Sequence, residues 1–252
     1  MADRWFQPFQ RSDFDSPLRL FLFHYAGAGA AVYHEWSGLL PPDVAGVCVQ
    51  LPGRQDRRSE PPTTELAVLV EVLTEVFAAE LDDRPYALFG HSMGALLAYR
   101  MAVALSDDPP ALIGVSGWAP EGFTMPTATD VALRDDGIVA RMAELGALPP
   151  QAAANPDVLA LAVPAMRADM AVCASYVDDH AMVDCPIVAY SGAADPLLAP
   201  AAMNTWSGRT AEYLGNRVFP GGHFFVDDQA LGVVADLIPL LRRHAAAARQ
   251  AL

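Results

Sequence analysis

The apolar run Tyr86-Ala87-Leu88-Phe89 leads directly into Gly90-His91-Ser92-Met93-Gly94 and then into Ala95-Leu96-Leu97-Ala98-Tyr99-Arg100-Met101-Ala102. The first segment reads as a short buried strand, and the last is rich in strong helix formers. A G-x-S-x-G pentapeptide between a strand and a helix is a nucleophile elbow, a sharp turn that lifts the serine hydroxyl above the edge of a sheet. The flanking glycines have a steric role, because such a turn brings backbone segments too close together for a Cβ. This one feature demands a strand–turn–helix unit in an α/β sheet and makes Ser92 the candidate nucleophile.

A serine in an elbow needs a base and an acid to orient that base, and in this architecture they follow in the order Ser, acid, His. Of the six histidines, His24 and His34 precede the serine, and His91 lies inside the elbow, directed away from the hydroxyl. His180 sits among Asp178, Asp179 and Asp184, and His244 lies beside Arg242 and Arg243 on a terminal helix. His223, in Gly221-Gly222-His223-Phe224-Phe225, follows the strand-like Arg217-Val218-Phe219-Pro220 and is the expected base. For the acid, Asp195 stands in the loop Gly192-Ala193-Ala194-Asp195-Pro196 after the strand-like Pro186–Ser191. An aspartate there suits a group that fixes the imidazole tautomer and stabilises its charged form. Glu121, one strand earlier, is the competitor. The oxyanion hole is expected from the backbone N–H of Met93 and that of Ala26, in the small-residue loop His24–Ala30. That loop lacks the third glycine of a dinucleotide fingerprint, and the chain has no P-loop lysine.

Strand-like runs near 19–23, 46–50, 86–90, 112–116, 186–191 and 212–219 alternate with helical stretches near 65–81, 93–105 and 226–243. This is the pattern of an α/β fold with a mainly parallel central sheet and helices on both faces. A single domain over residues 1–252 accommodates it, with 53% hydrophobic residues to fill the core. The alternation breaks between residues 121 and 183, where five of the nine methionines fall. A helix expected at Asp157–Tyr176 carries Leu159, Val163, Met166, Met170 and Cys173 at spacings of four, three, four and three. An amphipathic insertion above the strand ends reads as a helical lid. Leu159, Val163, Met166 and Met170 are then expected to face substrate, methionine being suited to apolar groups of variable shape.

These motifs carry a family resemblance. Phe23-His24-Tyr25-Ala26-Gly27-Ala28-Gly29, Gln50-Leu51-Pro52-Gly53-Arg54-Gln55-Asp56-Arg57, the elbow, Met166-Arg167-Ala168-Asp169 and Gly221-Gly222-His223-Phe224-Phe225 resemble the type II (editing) thioesterases. These are α/β-hydrolases that accompany polyketide and non-ribosomal peptide synthases, and the similarity runs from about Arg19 to about Leu240. One departure is His24-Tyr25, where the family usually has Pro-His before the Ala-Gly of this loop. The resemblance implies a Ser-His-Asp thioesterase that takes acyl groups from acyl or peptidyl carrier proteins. It implies no cofactor of the enzyme's own, since the substrate itself carries phosphopantetheine. An acyltransferase or small-ester hydrolase with the same triad, and a non-catalytic ligand-binding module, stay open as alternatives.

The net charge of −14 argues against nucleic-acid binding, which needs clustered Lys and Arg. It also means that an acidic carrier protein requires a local basic patch, for which Arg54, Arg57 and Arg58 are the candidates. Three cysteines are too few for a disulfide framework, and no cluster has metal-ligand spacing. With neither a signal peptide nor a run of 18 apolar residues, the expectation is a soluble cytoplasmic protein with no membrane contact.

Overall fold

The computed structural model describes residues 4–9, 16–148 and 150–250. In chain order its elements are strands β1 (Phe6–Pro8), β2 (Leu18–Phe23) and β3 (Val44–Val49), then helix α1 (Leu66–Glu80), β4 (Tyr86–His91) and α2 (Met93–Ala104). After β5 (Leu112–Ser116) come four helices, α3 (Ala128–Val131), α4 (Asp135–Leu145), α5 (Pro150–Ala153) and α6 (Pro156–Ala174). The chain then forms β6 (Ile187–Gly192), β7 (Tyr213–Phe219), α7 (Phe225–Asp228) and α8 (Ala230–Gln250).

The strands form one seven-stranded sheet in the order β1-β3-β2-β4-β5-β6-β7. Every pairing is parallel except that of β1, which runs antiparallel along the edge of β3. The central strands are apolar on both faces because both faces are covered. On β2, Phe21 and Phe23 pack with Leu73 and Phe77 of α1 and Leu96 of α2, whereas Leu20 and Leu22 pack with Val233, Leu237 and Leu241 of α8. Each such side chain contributes about 1.5–3 kcal/mol when fully buried.

The six longer strands and α1 and α2 lie within about two residues of the ranges read from the sequence. The expected terminal helix is divided, with Gln229 separating α7 from α8. Edge strand β1 gives no periodic signal in three residues, yet Phe6 is buried edge-on against Phe21 and Phe77. Among the described residues no helix is long and apolar enough to cross a membrane.

Residues 121–183 lie above the carboxyl ends of the strands as a helical layer. The Thr127 side chain caps α3 in a box with Asp130, and Asn155 caps α6 by accepting from the N–H groups of Asp157 and Val158. Ile138 and Met142 of α4, Leu148, and Val163, Met166 and Met170 of α6 form a separate small core. Further along α6, Val172 and Cys173 join the main core beside α1 and α2. Thus α6 is anchored at its C-terminal end in the main core, while α3 and α4 pack along it as far as Arg167 and Met170.

The elbow depends on backbone proximity. A Cβ at Gly90 would lie 1.9 Å from the carbonyl oxygen of Gly94, and one at Gly94 would lie 2.0 Å from that of Phe23. Gly38 ends a 3-10 stretch and has open space around it. Gly94→Ala should therefore destabilise by at least roughly 1–3 kcal/mol, whereas Gly38→Ala should leave the melting temperature within about a degree. Parallel thermal melts of the two variants check this, and equal shifts would contradict it.

Candidate active site

Ser92 sits between β4 and α2 with φ 54° and ψ −118°. A non-glycine residue rarely adopts a positive φ, and here the conformation is held because both neighbouring elements are packed and Ser92 N–H donates to Ser116 O at 2.8 Å. The turn presents Ser92 Oγ 2.9 Å from His223 Nε2. His223 lies in the loop between β7 and α7, and its Nδ1 is 2.8 Å from Asp195 Oδ2, beyond the end of β6. Asp195 Oδ1 accepts from Leu197 N–H at 2.8 Å, so both carboxylate oxygens are engaged. The His223 and Asp195 side chains are 2% and 0% exposed, which keeps competing water off the hydrogen bonds. With Nδ1–H donated to the carboxylate, Nε2 is left as acceptor for the serine hydroxyl.

The competing acid, Glu121, is exposed, and the carboxylate that meets His223 is that of Asp195. The other histidines have other hydrogen-bond partners. Buried His91 packs on the His223 ring at 5.1 Å between centroids, and its Nδ1 meets Ser116 Oγ at 2.9 Å. Buried His24 lies at the end of β2 with Nδ1 2.9 Å from Tyr25 O, and burial lowers its pKa to about 4. His180 is exposed beside Asp178, and His244 lies on α8 near Glu212.

The loop after β2 passes beside the serine. Gly27 N–H donates to Asp169 Oδ2 at 2.7 Å and Ala28 N–H to Tyr25 O at 3.2 Å, so neither is available to a substrate. Ala26 lines the cavity together with Ser92 and His223. Met93 is the first residue of α2, where backbone N–H groups lack intrahelical acceptors. With Gly27 and Ala28 N–H engaged, Ala26 and Met93 are the candidate main-chain donors for an oxyanion beside Ser92.

The cavity over Ser92 encloses about 670 Å³, open mouth included. Its walls are largely apolar, with Phe123, Met142, Leu145 and Leu197 beside the Met166, Met170 and Cys173 of α6. Leu159 and Val163, expected to face substrate, do not line it. They lie one to two turns earlier on α6 and pack in the small core with Ile138 and Met142. Phe123, the Met142 and Leu145 pair one turn apart on α4, and Leu197 come from three segments with no periodicity shared between them, so only the three-dimensional fold brings them together. Phe224, next to His223 in the chain, also reaches the cavity and packs against Tyr25 at 4.8 Å between ring centroids.

The candidate basic patch is not a surface. Arg54 is buried in a bidentate pair with Asp169, and Arg57 lies buried over the Trp5 ring while pairing with Glu60. Of the three, only Arg58 is exposed. The signal available beforehand was their position in a turn between a buried strand and a helix, where an arginine can bond main-chain carbonyls as readily as face solvent. Among the described residues no group of three His, Cys, Asp or Glu side chains could hold a metal ion.

A family model described as "Thioesterase domain" matches residues 18–240. The chain is 34% identical to a probable cadicidin biosynthesis thioesterase of Streptomyces griseus, over 98% of this chain and 68% of the relative. It is 32% identical to the gramicidin S biosynthesis protein GrsT of Aneurinibacillus migulanus, over 89% of each. Its structure superposes with a TM-score of 0.86 on the type II thioesterase BorB from the borrelidin biosynthetic cluster, at 29% identity over 96% of this chain and 99% of that one.

Ser92→Ala should abolish labelling by a fluorophosphonate and lower hydrolytic turnover on the order of 10³-fold or more, with the fold intact. Asp195→Asn should lower turnover on the order of 10²–10⁴-fold, and Glu121→Gln should have little effect. Steady-state assays of the three purified variants check this, and a reversed order for the two acids would contradict it.

Burial also sets a pH dependence. His24 is neutral in the fold down to about pH 4 but ionises near pH 6.5 when unfolded. Its depressed basicity leaves stability intact above pH 6.5 and removes it as pH falls from there toward 4. Buried His91 shifts in the same direction. Asp227, partly desolvated where it accepts from the Tyr25 hydroxyl, has a raised pKa and opposes the trend over the lower part of that window. The urea midpoint should be lower at pH 5.0 than at pH 7.0, and an unchanged midpoint would contradict the neutral burial of these imidazoles.

Proposed function

The chain belongs to the thioesterase family, and from that premise we propose that it hydrolyses acyl groups from the phosphopantetheine arm of acyl or peptidyl carrier proteins. In this reading it clears aberrant or stalled acyl units in polyketide or non-ribosomal peptide biosynthesis. The observation that carries the reading is the apolar cavity closing directly on the Ser92–His223–Asp195 array beneath the helical layer. The similarity to biosynthetic thioesterases supports hydrolysis of a thioester over transfer or small-ester hydrolysis. The array's hydrogen-bonded order supports an enzyme over a ligand-binding module.

The chemistry follows from the distances. His223 Nε2 takes the Ser92 proton as Oγ bonds to the thioester carbonyl carbon, and Nδ1–H to Asp195 stabilises the imidazolium that forms. The carbonyl oxygen, now anionic, accepts from Met93 and Ala26 N–H. Collapse breaks the carbon–sulfur bond, and the thiol departs with the proton from His223. Water then gives a proton to Nε2 and adds to the acyl carbon, and the second collapse releases the acid and restores the serine hydroxyl. The enzyme needs no cofactor for these steps, because the substrate brings the pantetheine arm.

The apolar walls select among acyl chains with limited power, since one methylene in such a pocket changes discrimination by only about 1–3 kcal/mol. Met170 is part of the wall and also of the small core beneath α4. Met170→Ala should shift the rank order across acetyl, propionyl, butyryl and longer carrier thioesters while Ser92 is labelled at a near-normal rate. Chain-length profiles and melting temperatures measured on the same variant check this. An unchanged profile with a stability loss of roughly 2–5 kcal/mol would assign Met170 to packing alone. The same panel, offered as carrier, coenzyme A and p-nitrophenyl derivatives, tests the proposed substrate class. Preference for the oxygen esters would overturn it.

A further inference from the structure

The Arg54–Asp169 pair lies behind the oxyanion loop rather than at the surface. Asp169, on the C-terminal half of α6, is 1% exposed, and the Arg54 side chain, on the loop after β3, is 6% exposed. Arg54 Nη1 and Nη2 donate to Asp169 Oδ2 and Oδ1 at 2.5 and 2.8 Å. The same Oδ2 accepts Gly27 N–H at 2.7 Å, and Nη1 also donates to Ala28 O at 3.1 Å. The pair therefore grips both residues that follow Ala26. Gln50 Oε1 fixes the far end of the loop by accepting Ala30 N–H at 2.8 Å.

Gly27 is held in a shape only glycine accepts easily, with φ 76°. A Cβ there would lie 2.8 Å from Met166 Cε. The loop is thus pressed against α6 by packing and tied to it by a charge-assisted hydrogen bond. The peptide plane that carries Gly27 N–H also carries the carbonyl of Ala26, so fixing that plane restricts the rotation of Ala26 itself.

We infer that Asp169, held by Arg54, is a positioning residue that sets the Ala26 N–H of the oxyanion hole and ties it to the base of the lid. The inference rests on the thioesterase reading above. Asp169 touches neither substrate nor the reacting atoms, and it acts through Gly27. The arrangement also makes α6 a fixed strut, because a swing of its C-terminal half would break the Gly27 hydrogen bond.

The test compares two disrupting variants and one conservative variant with the unaltered protein for kcat and KM on an acyl thioester, for affinity toward an alkylboronic acid, and for melting temperature. The boronic acid forms a tetrahedral adduct with Ser92 Oγ and so reports the oxyanion site without turnover. Asp169→Asn puts an amide NH2 where one carboxylate oxygen stood, facing the Arg54 donors or Gly27 N–H, so one of those bonds is lost. Arg54→Met with Asp169→Leu removes both charges together and leaves no unpaired ion, but it also removes the acceptor for Gly27.

Removing an oxyanion donor altogether costs about 10²–10³ in kcat, and displacing one should cost less. Both variants should lose about 10- to 100-fold in kcat, with KM within about threefold and boronate affinity falling by a similar factor to kcat. The double variant should do so at a near-normal melting temperature, a pattern that a purely structural pair would not produce. Arg54→Lys, which keeps a cation against Asp169, should recover most of the rate.

Folded variants with kcat within twofold of the unaltered protein would overturn the inference, as would a raised KM at constant kcat. Failure of both variants to fold would assign the pair to the fold and overturn it equally. If the unaltered protein neither hydrolyses thioesters nor binds the boronic acid, the thioesterase reading itself fails, which is a distinguishable result.

Discussion

The close approach of Gly94 to the end of β2 is the constraint from which the site follows. Because the backbone at Gly94 nearly touches Phe23 O, α2 starts within the sheet's edge and not beyond it. That proximity forces Ser92 into its positive-φ turn and brings the first N–H groups of α2 beside the loop after β2. Nucleophile and oxyanion donors are thus consequences of one packing contact between a helix start and a strand end. The base and acid arrive from the other side of the sheet, on the loops after β7 and β6, because parallel strands deliver all their carboxyl ends to one edge. Strain at the serine persists only because the surrounding elements over-determine it.

The features that were legible in the sequence are those encoded locally. Continuous apolar runs marked β2 to β6 because both faces of those strands are buried, and the glycine pair around Ser92 marked the elbow. Asp195 and His223 were legible as loop residues after strand-like runs. Edge strand β1 left no periodic trace, and the break at Gln229 was hidden inside an otherwise helical pattern. The stripe on α6 was read as one continuous face, yet it divides. Met166, Met170 and Cys173 reach the cavity, while Leu159 and Val163 pack with α4. Helical spacing shows which residues share a face, but not which neighbour that face meets along its length.

A chain of net charge −14 invites the view that its arginines serve an acidic partner. Arg54 and Arg57 instead turn inward, where a planar guanidinium can satisfy carbonyls and carboxylates at once. A buried ion pair of this kind is weak grounds for stability, since desolvation offsets much of its attraction. Its value lies in geometry, because several fixed donors and acceptors define one arrangement of the loop. That view connects the Leu-Pro-Gly-Arg and Arg-Ala-Asp segments, which are far apart in sequence and meet behind the site.

In the proposed reaction Ser92 carries the acyl group between carrier and water. Rapid-quench mass spectrometry of the protein mixed with an acyl-carrier thioester tests it most directly. The expected result is a transient mass increase equal to the acyl group, mapped by proteolysis to the peptide containing Ser92 and formed at least as fast as the acid is released. Release of acid with no such adduct on Ser92, or an adduct on another residue, would contradict it.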